Sequence, residues 1–134
     1  MMVKTNHAFN QRSKAAFTTI DLPWPISANA LTKNVGKRRA DSERYTAWKA
    51  EAGAELLKQR PKAVEGHYAA YMRMSRKDNR RRDLSNHYKC VSDLLVEHGV
   101  IEDDSLEAKV TLEWSDKVDQ CEITIIQDGE PRNV

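Results

Sequence analysis

Asp83-Leu84-Ser85-Asn86-His87-Tyr88-Lys89-Cys90-Val91-Ser92-Asp93-Leu94-Leu95-Val96-Glu97-His98-Gly99 is the segment on which the architecture turns. Leu84, Tyr88, Val91 and Leu95 recur at intervals of four, three and four, so they share one helical face. Asp83 suits an N-cap and Gly99 a left-handed stop, and together they predict a helix over 83–98. Before it, His67 to Ser75 places Tyr68, Ala70, Met72 and Met74 on one side, with the period of a half-buried strand. After it, Val110, Leu112 and Trp114 alternate in the same way, and so do Cys121, Ile123 and Ile125.

Working outward, Ala15 to Leu22 reads as a first strand around Phe17, Thr18, Thr19 and Ile20, stopped by Pro23-Trp24-Pro25. Ser27 to Arg39 reads as a basic loop that turns at Gly36. Ser42 can cap a helix that runs to Arg60 and ends at Pro61. Its stripe is Tyr45, Trp48, Ala52 and Leu56, with either Ala54 or Leu57 beside them. The order β-α-β-α-β-β predicts an α+β domain: a mixed four-stranded sheet with two helices packed on it. Asp116, Lys117 and their neighbours are expected to form a hairpin between the last two strands. The domain is expected over 15–128, with a mobile N-terminal arm over 1–14 and a C-terminal tail over 129–134.

The 134 residues suit one domain with a single modest core. Formal net charge is only +2, but the charges are clustered. Lys33, Lys37, Arg38 and Arg39 form one basic block, and Arg76, Lys77, Arg80, Arg81 and Arg82 form another. Acids gather at Glu97, Glu102, Asp103, Asp104 and Glu107. Local clusters outweigh the total, because screening confines each field to about 8 Å at physiological salt. Cys90 and Cys121 show neither metal-ligand spacing nor a disulfide framework, which fits a reduced, cytoplasmic setting. No apolar run approaches the roughly 20 residues of a membrane span, and the first residues do not read as a secretory signal.

The basic run Arg80-Arg81-Arg82 enters Asp83 directly, and Glu102-Asp103-Asp104 follows the helix. Guanidinium groups can grip a polyanion, and carboxylates beside them can hold a divalent cation over one of its phosphates. Mg²⁺ takes oxygen ligands and keeps several waters, so one or two carboxylates suffice for it. Asp83, Asn86 and Lys89 follow at intervals of three and ascend one side of the helix. Lys89 is placed to stabilise charge on a phosphate, and Asn86 to orient a water or the carboxylates. Bland roles stand beside these. Asp83 serves equally as a helix cap, Lys89 pairs with Asp93 four residues on, and Glu102-Asp103-Asp104 is a solvated acidic turn. His87 and His98 pack near the apolar edge, and Trp24, Trp48 and Trp114 belong to the core or an interface.

Three motifs in order resemble the RusA family of bacterial and phage Holliday junction resolvases. They are Leu22-Pro23-Trp24-Pro25-Ile26-Ser27-Ala28-Asn29, Arg80-Arg81-Arg82-Asp83-Leu84-Ser85-Asn86-His87-Tyr88-Lys89 and Gly99-Val100-Ile101-Glu102-Asp103-Asp104. The resemblance runs from about Thr18 to Ile125. It implies a homodimeric endonuclease, dependent on Mg²⁺ with Mn²⁺ as a substitute, that makes paired nicks in four-way junctions and other branched DNA of a bacterial host cell.

The family's Asp-Leu-Asp-Asn-x-x-Lys falls on Asp83, Asn86 and Lys89, and its later essential acid on Asp104. Asp83 and Asp104 then hold metal, with Asp103 as a further ligand. Arg80, Arg81, Arg82, Lys33, Lys37, Arg38 and Arg39 grip phosphates, and Asn29 either faces the DNA or serves its loop structurally. The family's second acid falls on Ser85, a neutral hydroxyl and a poorer ligand. Two other readings remain open: a non-catalytic binder of junctions or branched DNA, and a protein-interaction domain with a solvated basic loop.

Overall fold

The structure is a computed structural model that describes residues 15–129, so the expected arm over 1–14 and the tail beyond 129 lie outside the described residues. The expected α+β architecture is present. The strands are β1 (Phe17–Leu22), β2 (Thr32–Val35), β3 (Arg38–Asp41), β4 (Tyr68–Met74), β5 (Glu107–Trp114) and β6 (Cys121–Gln127). The helices are α1 (Glu43–Gln59) and α2 (Lys89–Glu97), and short 3₁₀ turns lie at Ala28–Ala30, Leu84–His87 and Asp104–Leu106. The main sheet has the order β1-β6-β4-β5. It is mixed, because β4 and β5 run parallel while β6 is antiparallel to both its neighbours, β1 and β4. A parallel pair needs a long crossover, and the segment carrying α2 supplies it.

The alternation in sequence becomes two chemically different faces. Ile20 of β1 faces Ile123 of β6, which faces Met72 of β4, which faces Leu112 of β5. The first three are fully buried. The opposite face carries Thr19 hydrogen-bonded to Thr124, Arg73 donating to Glu122 at 2.8 Å, and Tyr71 donating to Glu113. A register slip by one residue would exchange the two faces, so the pattern fixes the pairing.

Helix α1 begins where Ser42 accepts a hydrogen bond from the Tyr45 amide. It stops at Arg60, which turns left-handed just before Pro61. Tyr45, Trp48, Ala52 and Leu56 are buried as expected. Neither candidate for a fifth position is: Ala54 is exposed and Leu57 is 59% exposed. Gly53 takes the inward place, and a Cβ there would stand 3.3 Å from His98 Nε2, so the small residue admits the imidazole. At the other end of α1, Gln59 accepts from the Asp21 amide and donates to the Asp21 carbonyl, which ties the helix to β1.

Three expectations are corrected. The basic segment expected as a loop over Ser27 to Arg39 contains a two-stranded hairpin, β2–β3, turned by Gly36 at φ +62°. Arg39 holds it by donating across the strands to Thr32 and Asn34, contacts a composition-based reading does not register. Next, β5 and β6 are not joined as a hairpin, because β4 lies between them. Strands stand about 4.8 Å apart, so a six-residue link easily steps over one neighbour. That link is pinned to the end of β4: Ser115 donates to Met74 O at 2.8 Å and the Ser75 amide to Gln120 O at 2.9 Å. Finally, the helix expected over 83–98 is divided. Residues 84–87 form a 3₁₀ turn, and the α-helix starts at Lys89.

Replacing Ile123 by Ala should cost about 2–5 kcal/mol in urea unfolding, since it deletes the centre of the buried row. Ile126→Ala, three residues on and 44% exposed on the opposite face, should stay within about 0.5 kcal/mol of the parent.

Candidate active site

The split helix is explained by what its first turn must satisfy. Asp83 Oδ1 accepts from the Ser85 amide at 3.1 Å and from Ser85 Oγ at 2.7 Å. The Asn86 amide donates to Asp83 O, closing a tight turn. His87 is buried, and its Nδ1 lies 3.0 Å from the Pro25 carbonyl. Its ring meets Trp24 edge-on at 4.7 Å. One helical turn on, the Cys90 thiol points to the Ile26 carbonyl. The backbone therefore tightens to three residues per turn so that His87 and Cys90 reach the Pro23–Ile26 segment.

That segment is itself anchored. Trp24 Nε1 donates to Ser75 O at 2.8 Å, its amide donates to Gln120 Oε1, and Trp48 Nε1 donates to the Pro23 carbonyl. Two motifs about 60 positions apart in sequence thus form one structural unit.

The Leu84–His87 turn also packs on β5 and on the Ala28–Ala30 turn, while the Asp104–Leu106 turn packs on α2. Lys89 and Asp104 line one open cleft of about 220 Å³ together with Tyr88, Ser92, Asp93 and Glu107. Lys89 Nζ lies 3.2 Å from Asp93 Oδ2, the pairing that the spacing predicts. Asp83, Asn86 and Asp103 are not among the lining residues. Asp83 is exposed on the turn that leads into α2, and Asn86 is half-buried in it. The Asp103 carboxylate takes the Ser105 hydroxyl, which holds it below the usual carboxylate range.

The cationic residues divide into two groups. Arg82 is held by Asp78 at 2.8 Å and stacks over Trp24 at 5.2 Å from the ring centre. Lys33 is paired with Glu43, and Arg39 braces the hairpin. Arg80, Arg81, Lys37 and Arg38 are exposed. Asn29 is exposed on the 3₁₀ turn that packs beside the Leu84–His87 turn. Lys77 and Arg82 both lie over Trp24, and Arg76 over Trp114, so two of the three tryptophans act as platforms for cations.

Tyr88, Ser92, Asp93 and Glu107 were not singled out as site residues in sequence. Their signals in sequence are charge and proximity: Glu107 belongs to the acidic cluster, Asp93 stands four residues from Lys89, and Tyr88 and Glu107 lie one and three residues from Lys89 and Asp104. Among the described residues no three His, Cys, Asp or Glu side chains form a group able to enclose a metal ion. A hard cation that keeps its waters and shares a substrate phosphate does not require such an enclosure.

An acidic cleft holding one ammonium, on a helix that a triple arginine precedes in sequence, is chemistry suited to a phosphodiester backbone. The chain matches the family described as Endodeoxyribonuclease RusA over residues 23–126, and it belongs to that family. It is accordingly a crossover junction endodeoxyribonuclease, of a family that resolves Holliday junctions in branched DNA. None of the curated proteins compared with the chain matches it. No helix among the described residues is long and apolar enough to cross a membrane.

Burial lowers the pKa of His87 from its ordinary value, with Arg82 adding to the effect against the Pro25 carbonyl and Asp83. The folded state therefore resists protonation there, and the unfolded chain binds more protons at mildly acidic pH. The stability tied to the neutral ring is intact above about pH 6.5 and is lost as pH falls below it. Urea unfolding at pH 7.5 and at pH 5.5 should show this loss in the parent and a smaller one in His87→Gln.

Proposed function

We propose that this endonuclease resolves four-way junctions by paired symmetric nicks, using Mg²⁺, or Mn²⁺ in its place, as a homodimer. The observation that carries the reading is the convergence of Lys89 and Asp104 in one cleft, although they lie 15 positions apart. The turn that bears Asp83 packs on β5, whose first residue follows the Asp104 turn directly. Asp83 and Asp104 offer hard oxygen donors, the kind that Mg²⁺ and Mn²⁺ accept. Asp103 and Asp83 are each already engaged by a serine hydroxyl, that of Ser105 and that of Ser85.

In this mechanism the exposed Arg80 and Arg81, with Lys37 and Arg38 of the hairpin, hold phosphates and set the position of the DNA without reading its sequence. Lys33, Arg39 and Arg82 contribute from the same two basic blocks while they brace the local fold. Asn29 meets the DNA beside the turn that holds Asp83. Lys89 releases Asp93 and turns to the scissile phosphate, where it offsets charge that builds in the transition state. Asn86 keeps the turn and its carboxylate oriented. The cation would supply an activated water and neutralise the leaving oxygen. Two equivalent sites on an isologous dimer match two strands of like polarity. The setting proposed is the cytoplasm of a bacterial host, where the branched DNA is found.

A labelled four-way junction incubated with Mg²⁺ should be nicked symmetrically. Asp83→Asn and Lys89→Ala should each lower the rate by about a hundredfold or more, with junction binding in chelator unchanged. Undiminished cutting by either variant would remove that residue from the mechanism.

One contact favours a second reading, a junction binder without hydrolysis. Ser85 Oγ donates to Asp83 Oδ1, so this carboxylate is partly engaged by a neutral neighbour. If the parent binds junctions without cutting, Ser85→Asp should confer nicking on it. A parent that cuts readily excludes this reading.

A further inference from the structure

The cleft contains a carboxylate that the preceding mechanism leaves unused. By strict alternation along β5, Glu107 belongs on the face of Lys109, Thr111 and Glu113, away from the core. The pairing of β4 with β5 is interrupted at this point: Tyr68 faces Glu107, while the next residue, Ala69, faces Lys109. One extra residue, Ala108, is thus inserted opposite β4. Such a bulge re-aims a side chain, and here Glu107 turns to the core side. It becomes half-buried, accepts a hydrogen bond from the Tyr88 hydroxyl and lines the cleft with Asp104 and Lys89.

A second, independent observation lies on the neighbouring strand. Tyr68 is completely buried, and its hydroxyl has no hydrogen-bond partner. It is the sole such side-chain atom among the described residues. Ser92 stands close enough to both Tyr68 and Tyr88 to influence them, yet it closes no hydrogen bond on Tyr68. Tyr68 is the cross-strand neighbour of Glu107, and the charges of Glu107, Asp104 and Asp103 bear on its hydroxyl. A buried hydroxyl left unsatisfied is costly, and in native proteins such a group generally meets a water or an ion.

We propose that Glu107 joins Asp104 in holding the divalent cation, with the Tyr68 hydroxyl accepting a hydrogen bond from a cation-bound water. This rests on the metal-dependent reading above and adds a ligand to it. Tyr88 positions Glu107 by occupying one of its oxygens and leaves the other for the cation. The arrangement restores a negative charge to a site in which Ser85 supplies none.

The test measures metal directly. Manganese binding to the intact protein, followed by electron paramagnetic resonance with and without a four-way junction, should weaken about tenfold or more in Glu107→Gln. Junction affinity in chelator and the thermal midpoint should not change. Glu107→Asp keeps the charge but withdraws it by one methylene, and should weaken binding too. If the Gln variant does not fold, this second variant decides. Manganese affinity equal to that of the parent in the folded variants would overturn the assignment of Glu107, even for an enzyme that cuts junctions well. A parent that neither binds manganese nor cuts would overturn this assignment and the metal-dependent reading together.

Discussion

The hydrogen bond between the buried His87 ring and the Pro25 carbonyl is the joint on which the molecule's working parts depend. Proline has no amide proton to give, but its carbonyl is an acceptor that must be satisfied once buried. His87 meets that need and brings its whole turn with it. Trp24 closes on the edge of the ring, Arg82 lies over Trp24, and Asp78 holds Arg82. The chain of contacts runs from the end of β1 to the arginines that introduce Asp83. The turn bearing the acid is therefore fixed by packing rather than by helix propensity, and a site built on packed elements keeps its geometry better than one on a free loop.

The same logic explains why basic residues of similar appearance are not equivalent. Arg82, Lys33 and Arg39 each have a partner within the domain, and their charges are partly spent on local structure. Arg80, Arg81, Lys37 and Arg38 face solvent. A guanidinium stacked on indole and paired with a carboxylate is held in a defined place, which suits positioning. An exposed one adapts to a backbone that differs from one junction arm to the next.

Most of the scaffold was legible because burial follows period. Tyr68, Ala70, Met72 and Met74, and likewise Cys121, Ile123 and Ile125, alternate in the sequence and are buried as one face in the fold. Ser42 and Gly99 marked helix ends through local chemistry that needs no tertiary information. What was not legible was set at a distance. The hairpin within the basic segment rests on cross-strand contacts of Arg39, and the 3₁₀ start of α2 rests on carbonyls of Pro25 and Ile26. The place of β4 between β5 and β6 is a choice of neighbour, on which alternation is silent. Glu107 was legible as a member of the acidic cluster but not as an inward-facing group, because the bulge at Ala108 breaks the very periodicity by which side chains are assigned to faces.

Placing β6, the last strand among the described residues, in the interior of the sheet has a consequence for synthesis. β6 contributes the middle of the buried row and is hydrogen-bonded on both edges, to β1 and β4. Until residues 121–127 have left the ribosome, β1 has no partner in the main sheet and one edge of β4 stands open. A nascent chain thus lacks the link that seats the end of β1, and the Pro23–Ile26 segment after it, beside the rest of the sheet. The strand over residues 121–127 acts as the safety catch of the enzyme.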